Sequence, residues 1–66
     1  MLDLQLINVI DKVFVVPQSI VGVLWLQTHF PPSDWDALTD GAVILKPENA
    51  EVLLVDARSA GLIVKD

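Results

Sequence analysis

The sequence predicts an α+β fold: a small two-layer domain in which a mixed β-sheet packs against one main amphipathic helix, residues 47–60, and one short helix, residues 34–39. Two observations carry this prediction. Apolar residues recur at helical spacing after Pro47, and alternating or β-branched runs lie on either side of that segment. With 66 residues, the chain is expected to form a single domain, residues 1–66.

The main helix is marked at both ends. Pro47 suits the first helical position, where the backbone N–H has no partner in any case. At the other end, Gly61 can adopt the left-handed conformation of a Schellman cap, and Leu62 can fold back on the last turn. The predicted buried face follows the i, i+3, i+4, i+7 spacing and comprises Ala50, Leu53, Leu54, Ala57 and Ala60.

The N-terminal part of the chain is predicted to be β-structure. Apolar and polar residues alternate from Leu2 to Ile10, and Val13 to Val16 is a β-branched and aromatic run. Asp11 and Lys12 between the two runs suggest a hairpin, although neither residue is the glycine-containing pair that a two-residue turn prefers. One long bent strand is the alternative.

Residues Ile20 to Phe30 form the most apolar segment of the chain. We favour a central strand covered on both sides, because the segment is rich in β-branched and aromatic residues and is apolar on both alternating faces through Leu26. A buried helix beginning at Pro17 is the competing interpretation, since periodicity alone does not separate the two for a short apolar run. Trp25 is expected to lie in the core.

The short helix follows two prolines. Ser33, with Asp36 three residues later, resembles a capping box, and the helix is expected to stop at Gly41. Two further short strands are predicted, residues 42–45 and 62–64. If these two join one sheet in parallel, the crossover through the main helix should be right-handed.

The chain offers no grouping typical of catalysis or of a cofactor site, so we expect no enzyme and no cofactor. His29 with Asp34, Asp36 and Asp40 is the one set with metal-binding chemistry, but its spacing matches no metal motif. The acids are better explained as partners of a helix N-terminus, and His29 as the wet end of a strand. The serines share a single histidine and follow no triad order.

Composition favours association. The chain is 53% hydrophobic and 20% charged, and a domain of this size buries only about 60% of the surface that its unfolded chain exposes. It has no cysteine, so disulfides cannot supplement a small core. We therefore expect a non-catalytic protein-interaction module that self-associates. The candidate interface residues are Val13 and Val15 on a strand edge, Trp35, Asp34, Asp36 and Asp40.

Charge defines an alternative and some exclusions. The net charge of −5 suggests a small acidic regulator, an inhibitor or accessory subunit, that binds a basic protein surface through the three aspartates. The four basic residues are scattered, which argues against nucleic acid and anionic membranes as partners. The N-terminus lacks the basic region of a signal peptide, so a cytoplasmic protein is expected. Trp35 either caps the core or anchors an interface.

Overall fold

A computed structural model describes the whole chain, Met1 to Asp66, and confirms the α+β class with a mixed sheet. The strand order is β3-β2-β1-β4, with β1 and β4 parallel and the other pairs antiparallel. The elements, in chain order, are β1 (Leu4–Val9), β2 (Lys12–Pro17), α1 (Ile20–His29), a 3-10 turn (Pro32–Asp34), α2 (Trp35–Thr39), β3 (Val43–Leu45), α3 (Pro47–Ser59) and β4 (Val64–Lys65).

The core lies on one face of the sheet, which we call the inner face. Alternate residues of β1 and β2 point to this face, as the period of two in a strand requires, and their buried members are Leu4, Leu6, Val13 and Val15. Residues from all three helices join them in one apolar cluster, namely Leu26, Leu38, Ala50, Leu53, Leu54 and Ala57. The molecule therefore has two layers, a sheet and a layer of helices.

Helix α3 agrees with the sequence prediction to within one residue at its end. Gly61 has φ 90° and donates its N–H to the carbonyl of Arg58 at 3.0 Å, while Leu62 donates to the carbonyl of Ala57 at 3.0 Å. These two bonds define the predicted Schellman cap. Ala60 is the C-cap residue and is exposed, so the buried face of the helix ends at Ala57.

The predicted strand over residues 20–30 is wrong, because this segment forms helix α1. Ser19 caps the helix by accepting the N–H of Gly22 on its hydroxyl oxygen at 3.0 Å. The competing interpretation correctly predicted a helix, but it placed the start of the helix at Pro17 and expected the helix to be buried. Instead, the solvent side of α1 remains apolar, with exposed fractions of 79% at Ile20 and 57% at Leu24.

The two N-terminal strands form a hairpin, as one of the two alternatives proposed. Its two-residue turn is Ile10 and Asp11, one position earlier than expected, because Val9 pairs with Lys12. Ile10 has φ 58° and is fully exposed. A β-branched residue in the left-handed region is a conformational outlier, so the turn carries local strain.

Strand β2 is an inner strand, which corrects its prediction as a sheet edge. It pairs with β1 on one side and with β3 on the other. Val13 and Val15 are buried beneath the helices. Neither their backbone nor their side chains lie at an open edge, and their role in an interface stays a prediction.

The remaining elements differ in detail from the expectations. Strands β3 and β4 run in the same direction but lie at opposite edges of the sheet, so they do not pair. The predicted buried strand at 42–45 is an edge strand in which Ile44 is half exposed. Helix α2 spans nearly the predicted residues and ends at Thr39, with Asp40 as its C-cap residue and Gly41, which has φ 68°, directly after it. Ser33 forms no capping bond, because it lies inside the 3-10 turn that begins after Pro31.

Candidate interaction surface

The second face of the sheet is apolar and carries no helix; we call it the outer face and define it as Ile7, Val9, Phe14, Val16 and Ile44. Strand pairing places Ile7 opposite Phe14, and Phe14 opposite Ile44, so the three side chains form a row across three strands. None of the five belongs to the core cluster or packs against it.

The outer face is partly open to solvent along its whole width. The exposed fractions are 41% for Ile7, 46% for Val9 and 49% for Ile44, whereas Phe14 and Val16 are partly buried. The side chain of Val16 lies beside the backbone of Gly41, so close that a Cβ added at Gly41 would contact it. Contiguous exposed apolar residues of this kind mark interaction surfaces more often than isolated ones do.

A second apolar surface lies on the solvent side of helix α1. Ile20, Val21 and Leu24 share it, since residues four apart in a helix lie on one side. All three are more than half exposed. The molecule thus presents exposed apolar residues on both layers.

Trp35 has a structural role on the helical side of the molecule. Its ring packs against the core cluster, and its indole N–H donates to the carbonyl of Phe30 at 3.0 Å. The ring is partly buried. This arrangement ties the start of α2 to the end of α1, while the interface role of Trp35 stays a prediction.

The three aspartates of the candidate interface lie in the 3-10 turn (Asp34), in α2 (Asp36) and directly after α2 (Asp40). Asp36 and Asp40 are exposed and Asp34 is partly buried. None of them forms an ion pair, and Asp34 makes no side-chain capping bond at the start of α2. Their carboxylates are therefore available to a positively charged partner, which leaves the acidic surface as a prediction.

His29 takes part in local contacts at the end of α1. Its Nδ1 lies 3.0 Å from the carbonyl oxygen of Trp25 and 2.8 Å from the hydroxyl oxygen of Thr28. The rings of His29 and Trp25 are stacked at a slight tilt, with centroids 4.0 Å apart. No three side chains of His, Asp or Glu come together where they could hold a metal ion.

Asp3 joins three parts of the chain, a role that no sequence pattern predicted. One carboxylate oxygen accepts the backbone N–H of Ile63 at 2.9 Å, and the other accepts the hydroxyl of Ser19 at 2.7 Å. These bonds, with that from Ile63 the stronger influence, lower the pKa of Asp3 below its usual value of 3.8. A local signal did exist for Ser19, since a serine before an apolar run is a common helix N-cap.

The fold and these surfaces define a small two-layer α+β domain with an uncovered apolar sheet face. The family model described as the cyanobacterial NIF11-like domain matches residues 5–66, and the chain belongs to this family. Comparison with curated proteins found no match, and comparison with solved structures found none either. None of the three helices has the length and apolar content needed to cross a membrane.

Proposed function

We propose that this chain is a non-catalytic protein-interaction module that self-associates through the outer face of its sheet. The observation that supports this most directly is the row of Ile7, Phe14 and Ile44 on the side of the sheet without helices. In a two-layer domain this face is the natural place for a second layer, because an antiparallel sheet with one solvated face normally carries polar residues there. Here the row is apolar.

The charge distribution favours docking on this face. The polar strand residues beside the apolar row are Gln5, Lys12 and Lys65, and no carboxylate projects from the strands on this side. The net charge of −5 therefore resides elsewhere on the molecule. Two outer faces can meet without bringing the acidic side chains of two copies together.

The size of the face sets the expected strength of association. Two strands of six residues and one of three, spaced about 4.8 Å apart at roughly 3.3 Å per residue, give a patch on the order of 240 Å². A standard interface buries about 800 Å² per partner. Self-association should therefore be weak and depend on concentration, with a dissociation constant on the order of micromolar or above.

Sedimentation velocity over a concentration series tests this proposal. Ile44→Glu places a charge at one end of the apolar row, and we expect it to give a monomer that retains the wild-type circular dichroism spectrum. Leu24→Glu is the matched control, because Leu24 is similarly exposed on the other apolar surface. A wild type that stays monomeric at every concentration, or dimers lost in Leu24→Glu but not in Ile44→Glu, would contradict the proposal.

A small acidic regulator that binds a basic protein surface is the second candidate. The unpaired carboxylates of Asp34, Asp36 and Asp40 favour it, because exposed acids without internal partners can attract a basic surface. The test is capture of partners from native lysate at low and high salt, with the double variant Asp36→Asn/Asp40→Asn as control. A partner that is lost at high salt and lost in the double variant supports this candidate, whereas retention by the double variant opposes it.

A further inference from the structure

The tip of the β1–β2 hairpin carries an apolar side chain that packs against nothing in the chain. Ile10 is fully exposed and has φ 58°. A two-residue hairpin turn favours glycine or asparagine at such a position, because a β-branched residue is strained in the left-handed region. Ile10 therefore stabilises neither the turn nor the core. A strained residue that the fold itself does not need is a candidate for a contact with another molecule.

The hairpin tip continues the outer face of the sheet. Lys12 pairs with Val9, and since alternate residues of a strand share a face, the Lys12 side chain lies on the same side as Phe14. Asp11 precedes it in the turn. Both charged residues are exposed, and neither forms an ion pair within the chain. The end of the outer face thus presents an isoleucine, an anion and a cation, none of which has a partner in the chain.

The pairing within one hairpin determines which residues meet between two copies. Contacts across a two-fold axis are reciprocal, so that residue i of each copy contacts residue j of the other. Two sheets that pack face to face keep their strands nearly aligned. An axis that runs along the hairpin, between β1 and β2, places β1 of each copy over β2 of the other. Ile7 then lies over Phe14 of the second copy, and Val9 lies over Lys12 of the second copy.

This orientation gives each charge at the tip a partner. The stem of Lys12 from the second copy covers Val9 and Ile10, because lysine lays its methylene groups along apolar surface and keeps its ammonium group in water. That ammonium group reaches the turn, where Asp11 supplies a carboxylate. By symmetry the same pair forms a second time in the dimer.

The opposite orientation leaves both lysines without partners. An axis that runs across the strands places the two hairpin tips at opposite ends of the dimer. Lys12 then faces the far end of the other sheet, where the polar strand residues on the outer face are Gln5 and Lys65, and neither is an acid. Charge complementarity therefore favours the arrangement with both tips at one end.

We propose that two copies of this chain pair with both hairpin tips at the same end of the dimer, where Ile10 and two reciprocal ion pairs between Asp11 and Lys12 join the copies. This arrangement rests on the proposed self-association through the outer face. It adds the orientation of the two copies and the contact that selects this orientation. The tip also enlarges a small interface, since it lies directly beyond the apolar row.

Charge reversal tests the reciprocal pairs. Asp11→Lys gives a tip with two cations and Lys12→Asp gives a tip with two anions, so each variant alone should associate at least about fivefold more weakly than the wild type. An equimolar mixture should regain the wild-type affinity as a heterodimer, because the cations of one variant meet the anions of the other. Sedimentation velocity over a concentration series measures both variants and their mixture. A second chain cannot restore a role in folding, so recovery in the mixture reports a contact between copies.

Ile10→Asn separates the interface role of the tip from its role in the monomer. The substitution relieves the strain of the positive φ, so the dilute protein should be at least as stable as the wild type. It also removes the apolar contact, so self-association should weaken about tenfold. Ile20→Asn is the matched control, because Ile20 is an exposed isoleucine on the helical layer, and it should leave association unchanged.

The outcomes distinguish a failure of this arrangement from a failure of self-association itself. If Ile44→Glu abolishes dimers while Ile10→Asn and both charge variants associate like the wild type, the outer face is the interface and the tip is not part of it. A mixture that associates no more tightly than either charge variant alone would rule out the shared end for the two tips. A wild type that stays monomeric at every concentration would overturn both proposals.

Discussion

Asp3 and Ile63 are joined by two hydrogen bonds across almost the whole length of the chain. The backbone N–H of Asp3 donates to the carbonyl of Ile63 at 2.9 Å, and the N–H of Ile63 donates to the Asp3 carboxylate at 2.9 Å. The same carboxylate accepts the hydroxyl of Ser19, which caps α1. One side chain thus links the start of β1, the start of α1 and the approach to β4.

The first prediction concerns the acid stability of Asp3→Asn. The bonds from Ile63 and Ser19 lower the pKa of Asp3 in the folded state below 3.8, so the unfolded chain binds the proton more readily. The stabilisation from this carboxylate is present above pH 3.8 and is lost as the pH falls through the folded pKa. Asp3→Asn should therefore be less stable than the wild type at neutral pH, and it should lose less stability than the wild type when the pH falls below 3.8.

Urea midpoints measured across the acid range check this difference between wild type and variant. Ser19→Ala removes the bond with the smaller effect on the pKa of Asp3 and should give an intermediate pH dependence. Parallel wild-type and Asp3→Asn curves would contradict the assignment.

The second prediction is that Gly22→Ala destabilises the protein by about 2 kcal/mol, within the range for overpacking a buried site. Alanine stabilises a helix by about 1 kcal/mol relative to glycine, so this substitution would stabilise the protein at a position with free space for the added Cβ. At Gly22, however, an added Cβ would collide with the backbone carbonyl of Asp3. Backbone cannot rotate away as a side chain can, so we expect the collision to outweigh helix propensity.

Thermal melts of Gly22→Ala and of Val21→Ala decide this point. Val21 is the exposed neighbour in the same turn, and its substitution changes propensity without a collision. We expect a lowered midpoint in the first variant and little change in the second. A raised midpoint for Gly22→Ala would mean that α1 does not lie this close to β1.

The third prediction is that Ile10→Asn stabilises the hairpin by roughly 0.5 to 1 kcal/mol. Ile10 has φ 58°, a conformation that asparagine tolerates better than a β-branched residue, and it is fully exposed, so no packing is lost. Asp11→Asn is the control, because Asp11 has no positive φ. Urea unfolding gives the difference in free energy, and a destabilised Ile10→Asn would show that the turn is not strained as described.

The fourth prediction separates the two possible roles of Trp35. Trp35→Ala removes packing against the core and the bond to Phe30, and it should cost about 3 kcal/mol, the low end for a large aromatic because the ring is only partly buried. Trp35→Phe keeps the ring and loses the N–H, at a cost of about 1 kcal/mol. Chemical denaturation measures both.

The opposite outcome would favour an interface anchor. In that case Trp35→Ala would unfold at the wild-type midpoint when dilute, yet sediment as a smaller species than wild type at high concentration. The two measurements together thus assign Trp35 to the core or to an interface.

Local signals in the sequence were sufficient for α3 and for the end of α2. Pro47 suits the first helical position and Gly61 can adopt the left-handed conformation of the cap. The apolar stripe between them has the period of a helix, so no distant residue is needed to define the element. Gly41 acts in the same way at the end of α2. The hairpin also follows from sequence neighbours, although its strained turn at Ile10 runs against the usual turn chemistry.

Tertiary structure decided the rest. The sequence favoured a strand for the segment 20–30, with a helix as the competing interpretation, because it is apolar on both alternating faces through Leu26. The cap at Ser19 and the close packing of Gly22 against Asp3 belong to a helix. The order of strands is non-local, because β3 and β4 pair with strands that lie far away along the chain. Only that order makes β2 an inner strand and brings Ile7, Phe14 and Ile44 into one row.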